Sequence, residues 1–331
     1  MPGVHDLEAA VRASWDRESL SVYGDHLMAI GDPRGELVAM DLRIDQEGAS
    51  PEVIARRNEL IAAWFGSRLP PGIVRHGFVD VDATSAEPDS QLAIALGGPG
   101  AAYVRSVAIV GPPQLLARSM AMLTEAPRPW LVRLVVRQWD ESKAPTIDEA
   151  TCQRLVAVAP HLAALEVDGR RVFHELVHPR LRALRVSGYD AVASLVGDGA
   201  ALAATRLDFA FHCHFAREHA APSAPVLRSL LAAGRLPDLV ELDLSRNEPG
   251  RLEPHTLGGD LDVFSFVDNL ALRRRLERLR LPPLISAADL VKLQHALEDM
   301  PALRELTVIG AARSLVHATA AIRFVDRGSG R

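Results

Sequence analysis

Leu239-Val240-Glu241-Leu242-Asp243-Leu244-Ser245-Arg246-Asn247 sets leucines at 239, 242 and 244 and then runs into a polar turn ending in asparagine. The last four residues of the leucine phrase alternate. Leu242 and Leu244 therefore point to one side of an extended chain, and Glu241 and Asp243 to the other. That is the pattern of a short strand with one buried face. The phrase recurs as LVRLVV at 131–136, LAALEV at 162–167, LRALRV at 181–186, LERLRL at 276–281 and LRELTV at 303–308. Weaker copies are VRSVAI at 104–109 and LAATRL at 202–207, where Thr205 stands at the middle aliphatic position.

Proline precedes several copies, at Pro160, Pro179, Pro237 and Pro301. Helix-like legs separate them, at 146–159, 224–233 and 286–300. In the last, Leu290, Leu293 and Leu297 recur at helical spacing behind Ser286 as N-cap. Strand, turn and leg, each opened by a leucine phrase, is the pattern of leucine-rich repeats. The predicted fold is an α/β leucine-rich-repeat solenoid, with a parallel sheet on the concave side and helical legs on the convex side. Only 239–247 carries the motif through its asparagine; Trp139, Arg170 and Tyr189 occupy the equivalent places. The phrase starts are also unevenly spaced, so the expected array is degenerate and irregular. It should cover 71–312, between a helical unit over 1–70 and a cap and tail over 313–331.

In the N-terminal unit, Leu7, Val11 and Trp15 fall at four-residue intervals, which predicts one helix from His5 to Ser19. Gly31-Asp32-Pro33-Arg34-Gly35 reads as a turn between helices. Ser50 is a predicted N-cap with Pro51 in the first helical position, and Ile54, Leu60, Ile61 and Trp64 should share a side. The segments 77–81 and 91–96 would join this unit to the first repeat.

The run from Ser21 to Met40 resembles the bacterial repeat-companion domain, whose pattern is tyrosine, a small residue, aspartate, tryptophan, leucine, then Gly-Asp-Pro-Arg-Gly-Glu and an apolar helix. Tyr23, Asp25, Leu27 and the run Gly31 to Glu36 match it, as does the junction Arg75-His76-Gly77-Phe78. His26 stands where the family has tryptophan and Gly24 where it has alanine, which implies different packing around that helix. The resemblance covers about 60 residues, implies leucine-rich repeats downstream and implies no enzymatic activity. The residues themselves point to a helix connector: Pro33 fixes φ, the glycines permit a sharp turn, and Glu36 sits near a helix N-terminus.

The bulk composition narrows the function classes. The 331 residues are 48% hydrophobic and carry a formal net charge of −5, so no basic excess favours nucleic acid or an anionic membrane. Cys152 and Cys213 cannot build a disulfide framework. No secretory signal is evident at the start, and no apolar run reaches the roughly 18 residues a membrane span needs. A cytoplasmic location is expected.

Two clusters carry possible chemistry. His174-Glu175-Leu176-Val177-His178 has the spacing that, on a helix, lets two histidines hold zinc while the glutamate activates water. Pro179 disfavours helical angles at His178, and no third ligand follows in the expected place. His212 and His214 would share one face of a strand, with Cys213 on the other. No phosphate-binding glycine loop or nucleophile elbow is present, and no cofactor is expected.

The reading that follows is a non-catalytic scaffold binding a protein on the concave face. Its central exposed column is predicted as Ala108, Val135, Glu166, Arg185, Arg206, Asp243, Arg280 and Thr307. Arg133, Arg137, Asp168, Asp208, Glu241, Arg278 and Glu305 should flank it. Arg185 beside Arg206 would be an unanswered like-charge pair, which predicts an acidic or mixed-charge protein partner. The alternatives are a zinc-dependent hydrolase built on His174 to His178, and a self-assembling structural module. The oligomeric state is left open.

Overall fold

The computed structural model describes residues 3–66, 72–84, 87–139, 145–169, 171–187, 201–210, 228, 230–231, 235–247, 266–282, 287–308 and 323–324, the last pair and 287–290 by backbone alone. It is a mixed α/β protein. The chain divides into two compact units, one of 1–110, 118–134 and 157–161, the other of 111–117, 135–156 and 162–331.

The first unit opens with α1 (Val4–Ser14), α2 (Arg17–Ala29), α3 (Arg34–Glu47) and α4 (Pro51–Phe65). The single helix expected from His5 to Ser19 is two. Trp15 takes left-handed angles (φ 48°) and ends α1, and the Asp16 carboxylate accepts from the Ser19 amide at 2.8 Å to start α2. A side-chain acceptor at the N-cap satisfies an amide that otherwise lacks a partner, and here it outweighs the continuity of the apolar stripe. Asp16→Ala should therefore lower the stability of this unit by about 1 kcal/mol in denaturant titration. Ser50 caps α4 as predicted, accepting from the Val53 amide at 3.3 Å. Along that helix Leu60, Ile61 and Phe65 are buried but Ile54 is exposed, so the apolar stripe is narrower than its spacing suggested.

The Gly-Asp-Pro-Arg-Gly connection brings α2 and α3 unusually close. A Cβ on Gly35 would lie 2.6 Å from the Met28 amide nitrogen and 2.7 Å from the Gly24 carbonyl. Arg34 folds back into the interior, donating to both Asp32 oxygens and stacking 3.4 Å from the centre of the Tyr103 ring. Burial alone would raise the Asp32 pKa, but the bonds from Arg34 outweigh it and hold the carboxyl below its ordinary range. Tyr23, Phe78 and Trp130 pack with Leu7, Val11, Leu20, Leu27 and Val38 into this unit's core.

The hairpin β1 (Gly72–Arg75) and β2 (Phe78–Ala83) is antiparallel, and β2 pairs in parallel with β3 (Val104–Gly111) after α5 (Pro88–Gly97). Asp41 on α3 ties the hairpin down: its two oxygens accept from Arg57 Nε and from the His76 amide, each at 2.5 Å. Then come α6 (Pro113–Leu123) and β4 (Arg133–Gln138), whose first two residues belong to the first unit.

In the second unit α7 (Glu149–Val158) begins the run, followed by β5 (Ala164–Asp168), β6 (Ala183–Ser187), β7 (Arg206–Ala210), β8 (Glu241–Asp243), α8 (Leu270–Arg275), β9 (Arg278–Leu281), α9 (Ala287–Glu298), β10 (Glu305–Val308) and β11 (Arg323–Phe324). From β5 to β11 each strand pairs in parallel with the next in sequence. One row of the register is all leucine: Leu165, Leu184, Leu207, Leu242, Leu279 and Leu306, every one buried. Parallel strands need crossover connections rather than tight hairpins, and this row makes one face of the sheet apolar. The buried Asn247 side chain donates to the carbonyls of Phe209 and Leu244 at 2.9 Å each. No helix among the described residues is long and apolar enough to cross a membrane. Of the expected C-terminal cap only 323–324 is described.

Candidate interaction face

The side of β5–β10 opposite the leucine row carries charge, but not in the order the phrases suggested. Leu184 pairs with Leu207, so the phrase on β7 begins at Ala204 rather than Leu202. Two small residues, Ala204 and Thr205, displaced the apparent start by two positions. The central row consequently runs Glu166, Arg185, Asp208, Asp243, Arg280, Thr307. Arg206 belongs to the adjoining row with Ala164, Ala183, Glu241, Arg278 and Glu305. The expected like-charge contact of Arg185 with Arg206 does not exist. Arg185 instead lies between two carboxylates, 3.8 Å from Glu166 and 3.2 Å from Asp208.

The like-charge neighbours are Asp208 and Asp243, and arginines answer both. Arg246 donates to Asp208 at 2.7 Å, to the Ser187 hydroxyl at 2.7 Å and to the Val186 carbonyl at 3.2 Å, bridging two strands from the turn after a third. Arg280 lies 3.6 Å from Asp243. Burial pushes the Asp208 pKa above the ordinary aspartate value, and the neighbouring Arg246 and Arg185 only partly offset it. Arg246 was not singled out from the sequence. Its place beside the motif asparagine was the available signal, since that turn faces the preceding strand ends.

Exposure separates three carboxylates from three arginines, with Arg246 (19%), Glu241 (27%), Glu305 (30%) and Arg280 (35%) in between. The carboxylate-bearing side chains of Glu166, Asp208 and Asp243 are only 11%, 14% and 14% exposed, whereas those of Arg185, Arg206 and Arg278 are 43%, 50% and 52% exposed. The reason is length: a short carboxylate stays near the sheet while an arginine stem lifts its guanidinium over it. A visiting surface meets guanidinium donors. Arg137 extends the set by pairing with Glu166 at 2.6 Å, and Arg278 reaches Glu241 at 2.6 Å and Glu305 at 3.7 Å. Four predicted surface positions are corrected. Val135, Glu166, Asp168 and Thr307 are buried. Arg133 is exposed at the start of β4, in the first unit.

The zinc-binding reading loses its geometric premise. Residues 174–178 form no helix, Glu175 has φ 45°, and the His174 amide donates to the Ile147 carbonyl at 3.0 Å beside the Ile147–Phe173 bridge. His178 is buried, and its Nδ1 accepts from the Arg180 amide at 3.3 Å. Pro179 and the left-handed Glu175 together break the four-residue repeat that would align the imidazoles. Among the described residues no group of three or more His, Cys, Asp or Glu is placed to hold a metal. His212, Cys213 and His214 lie outside them. Cys152 is buried, and burial pushes its thiol up to about 11.

Compared with known proteins, the chain matches no protein-family model, and no curated protein matches it in sequence.

Proposed function

We propose that the chain is a non-catalytic, cytoplasmic protein-binding scaffold: a repeat-companion-type helical unit followed by degenerate leucine-rich repeats that capture an acidic segment of a partner protein on the exposed face of β5–β10. The observation that carries this reading is the sorting of charge by height on that face. The guanidinium groups of Arg185, Arg206 and Arg278 stand outermost, and Glu166, Asp208 and Asp243 lie sunk beneath them. The in-register leucine row behind the face and the asparagine turn after β8 support the repeat reading. An acidic partner meets planar, forked donors suited to bidentate contact with carboxylates. The intramolecular pairs stop these arginines from repelling one another without satisfying all their donors.

Arg206 and Arg278 are the decisive pair. They are the most exposed of the row and both flank Glu241, so reversing them leaves the buried pairs of Asp208 intact. A fluorescent Glu-rich peptide should bind the native protein saturably, and R206E/R278E should weaken that binding at least tenfold, about 1.4 kcal/mol. Binding should also fall as salt is raised through about 0.3 M, because the groups involved are exposed. Equal affinity for native and reversed proteins, both folded by circular dichroism, would refute the assignment of this face.

A further inference from the structure

The first unit contains a pocket of about 410 Å³ that the interaction face does not use. Its apolar wall is Trp15, Leu20 and Leu42; its polar rim is Arg17, Asp45, Gln46, Arg75, His76 and Arg105. A size of this order, with one greasy side and a few convergent polar groups, suits a small ligand.

Two of the lining residues hold backbone angles that their side chains disfavour. Trp15 (φ 48°) ends a helix where glycine is usual, and His76 (φ 51°) is the first residue of a two-residue hairpin turn where asparagine is favoured. Among the described residues only four non-glycine residues have positive φ, and two of them line this pocket. Strain of this kind collects where side-chain placement matters more than backbone comfort. His76 is buried, its Nδ1 lacks a hydrogen-bond partner, and its Nε2 lies 3.3 Å from Asp45. Burial lowers its pKa, and the nearby Asp41 and Asp45 only partly offset this.

The rim carries one more cation than it neutralises. Arg105 is committed to Asp80 through two hydrogen bonds and lies 4.3 Å from the centre of the Trp15 ring. Arg75 spends Nη2 alone on Asp45, at 2.9 Å and 3.1 Å. Among the described residues Arg17 is answered only by the amide oxygen of Gln46. An anion is therefore favoured, and planar guanidinium forks beside an apolar wall favour a flat anion with an apolar body.

We propose that this pocket binds a carboxylate carried on an apolar group, with Arg75 and Arg17 holding the carboxylate and Trp15, Leu20 and Leu42 the apolar part. The same chemistry is offered by a free small acid and by the C-terminus of a peptide ending in an apolar residue. Titration calorimetry on the full chain with phenylacetate, phenylacetamide, and N-acetyl-Gly-Gly-Phe as free acid and as amide separates these sources. Each acid that binds should exceed its amide at least tenfold, and the tighter of the two acids names the source. Arg75 and Asp45 are exposed, so their substitution leaves the fold intact. R75Q should weaken acid binding at least tenfold, whereas D45N, which releases Arg75, should strengthen it about threefold. Absence of saturable binding by either acid up to about 10 mM, acids no better than amides, or both variants shifting affinity in one direction would overturn the proposal.

Discussion

Gly35→Ala should destabilise the first unit by about 3 kcal/mol, the largest effect expected for the removal of no interaction at all. The added methyl would lie 2.6 Å from a backbone nitrogen and 2.7 Å from a backbone oxygen. Neither can swing aside as a side chain does, so α2 and α3 must separate. That separation loosens Val38 against Tyr23 and disturbs the site of Arg34, which is anchored by Asp32 and Tyr103. Trp15, Trp64 and Trp130 all belong to this unit, so fluorescence in a W139F background reports its unfolding. The denaturant midpoint should fall with little change in slope. Gly97→Ala is the control: no atom lies within 4 Å of the new methyl, and a gain of about 0.5 kcal/mol is expected from reduced unfolded-state freedom. Equal midpoints for native protein and Gly35→Ala would mean that the helices do not approach as described.

Leu207→Ala should cost the second unit about 2–5 kcal/mol. Leu207 is fully buried between Leu184 and Leu242 in the leucine row, so truncation leaves a void with rigid parallel strands on either side. Arg206→Ala, one residue earlier but exposed, should change stability by less than about 1 kcal/mol. Amide exchange over β6–β8 resolves the two: protection should collapse in the leucine variant and persist in the arginine variant. Loss of protection in neither would remove the row as the source of this unit's cohesion.

The comparison of neighbouring residues shows where a linear reading works. The phrases on β5, β6, β8, β9 and β10 were legible because alternate aliphatics leave one face polar, and a single-residue slip would expose all of them. On β7 the signal failed. Ala204 and Thr205 left Leu202 and Leu207 as the visible anchors, and Leu202 is itself buried, so hydrophobicity could not discriminate between two starts. Only pairing with Leu184 and Leu242 decides the register, and with it which charges meet. The Trp15–Asp16 break was hidden in the same way, because the apolar stripe runs on through residues that the cap geometry assigns to two helices.

By itself the sequence determined what depends on local order: where the strands other than β7 in the leucine row begin, which of their faces is apolar, that Ser50 starts a helix, and that Gly31 to Gly35 turns the chain between helices. Tertiary structure alone decided what depends on distance across the chain. It put Arg185 between Glu166 and Asp208, set Arg246 across two strands, and brought Trp15, Arg75 and His76 around one pocket. The reason is physical: periodicity acts over a few residues along the backbone, whereas ion pairs and pockets are set by register between segments tens of residues apart, which no local pattern encodes.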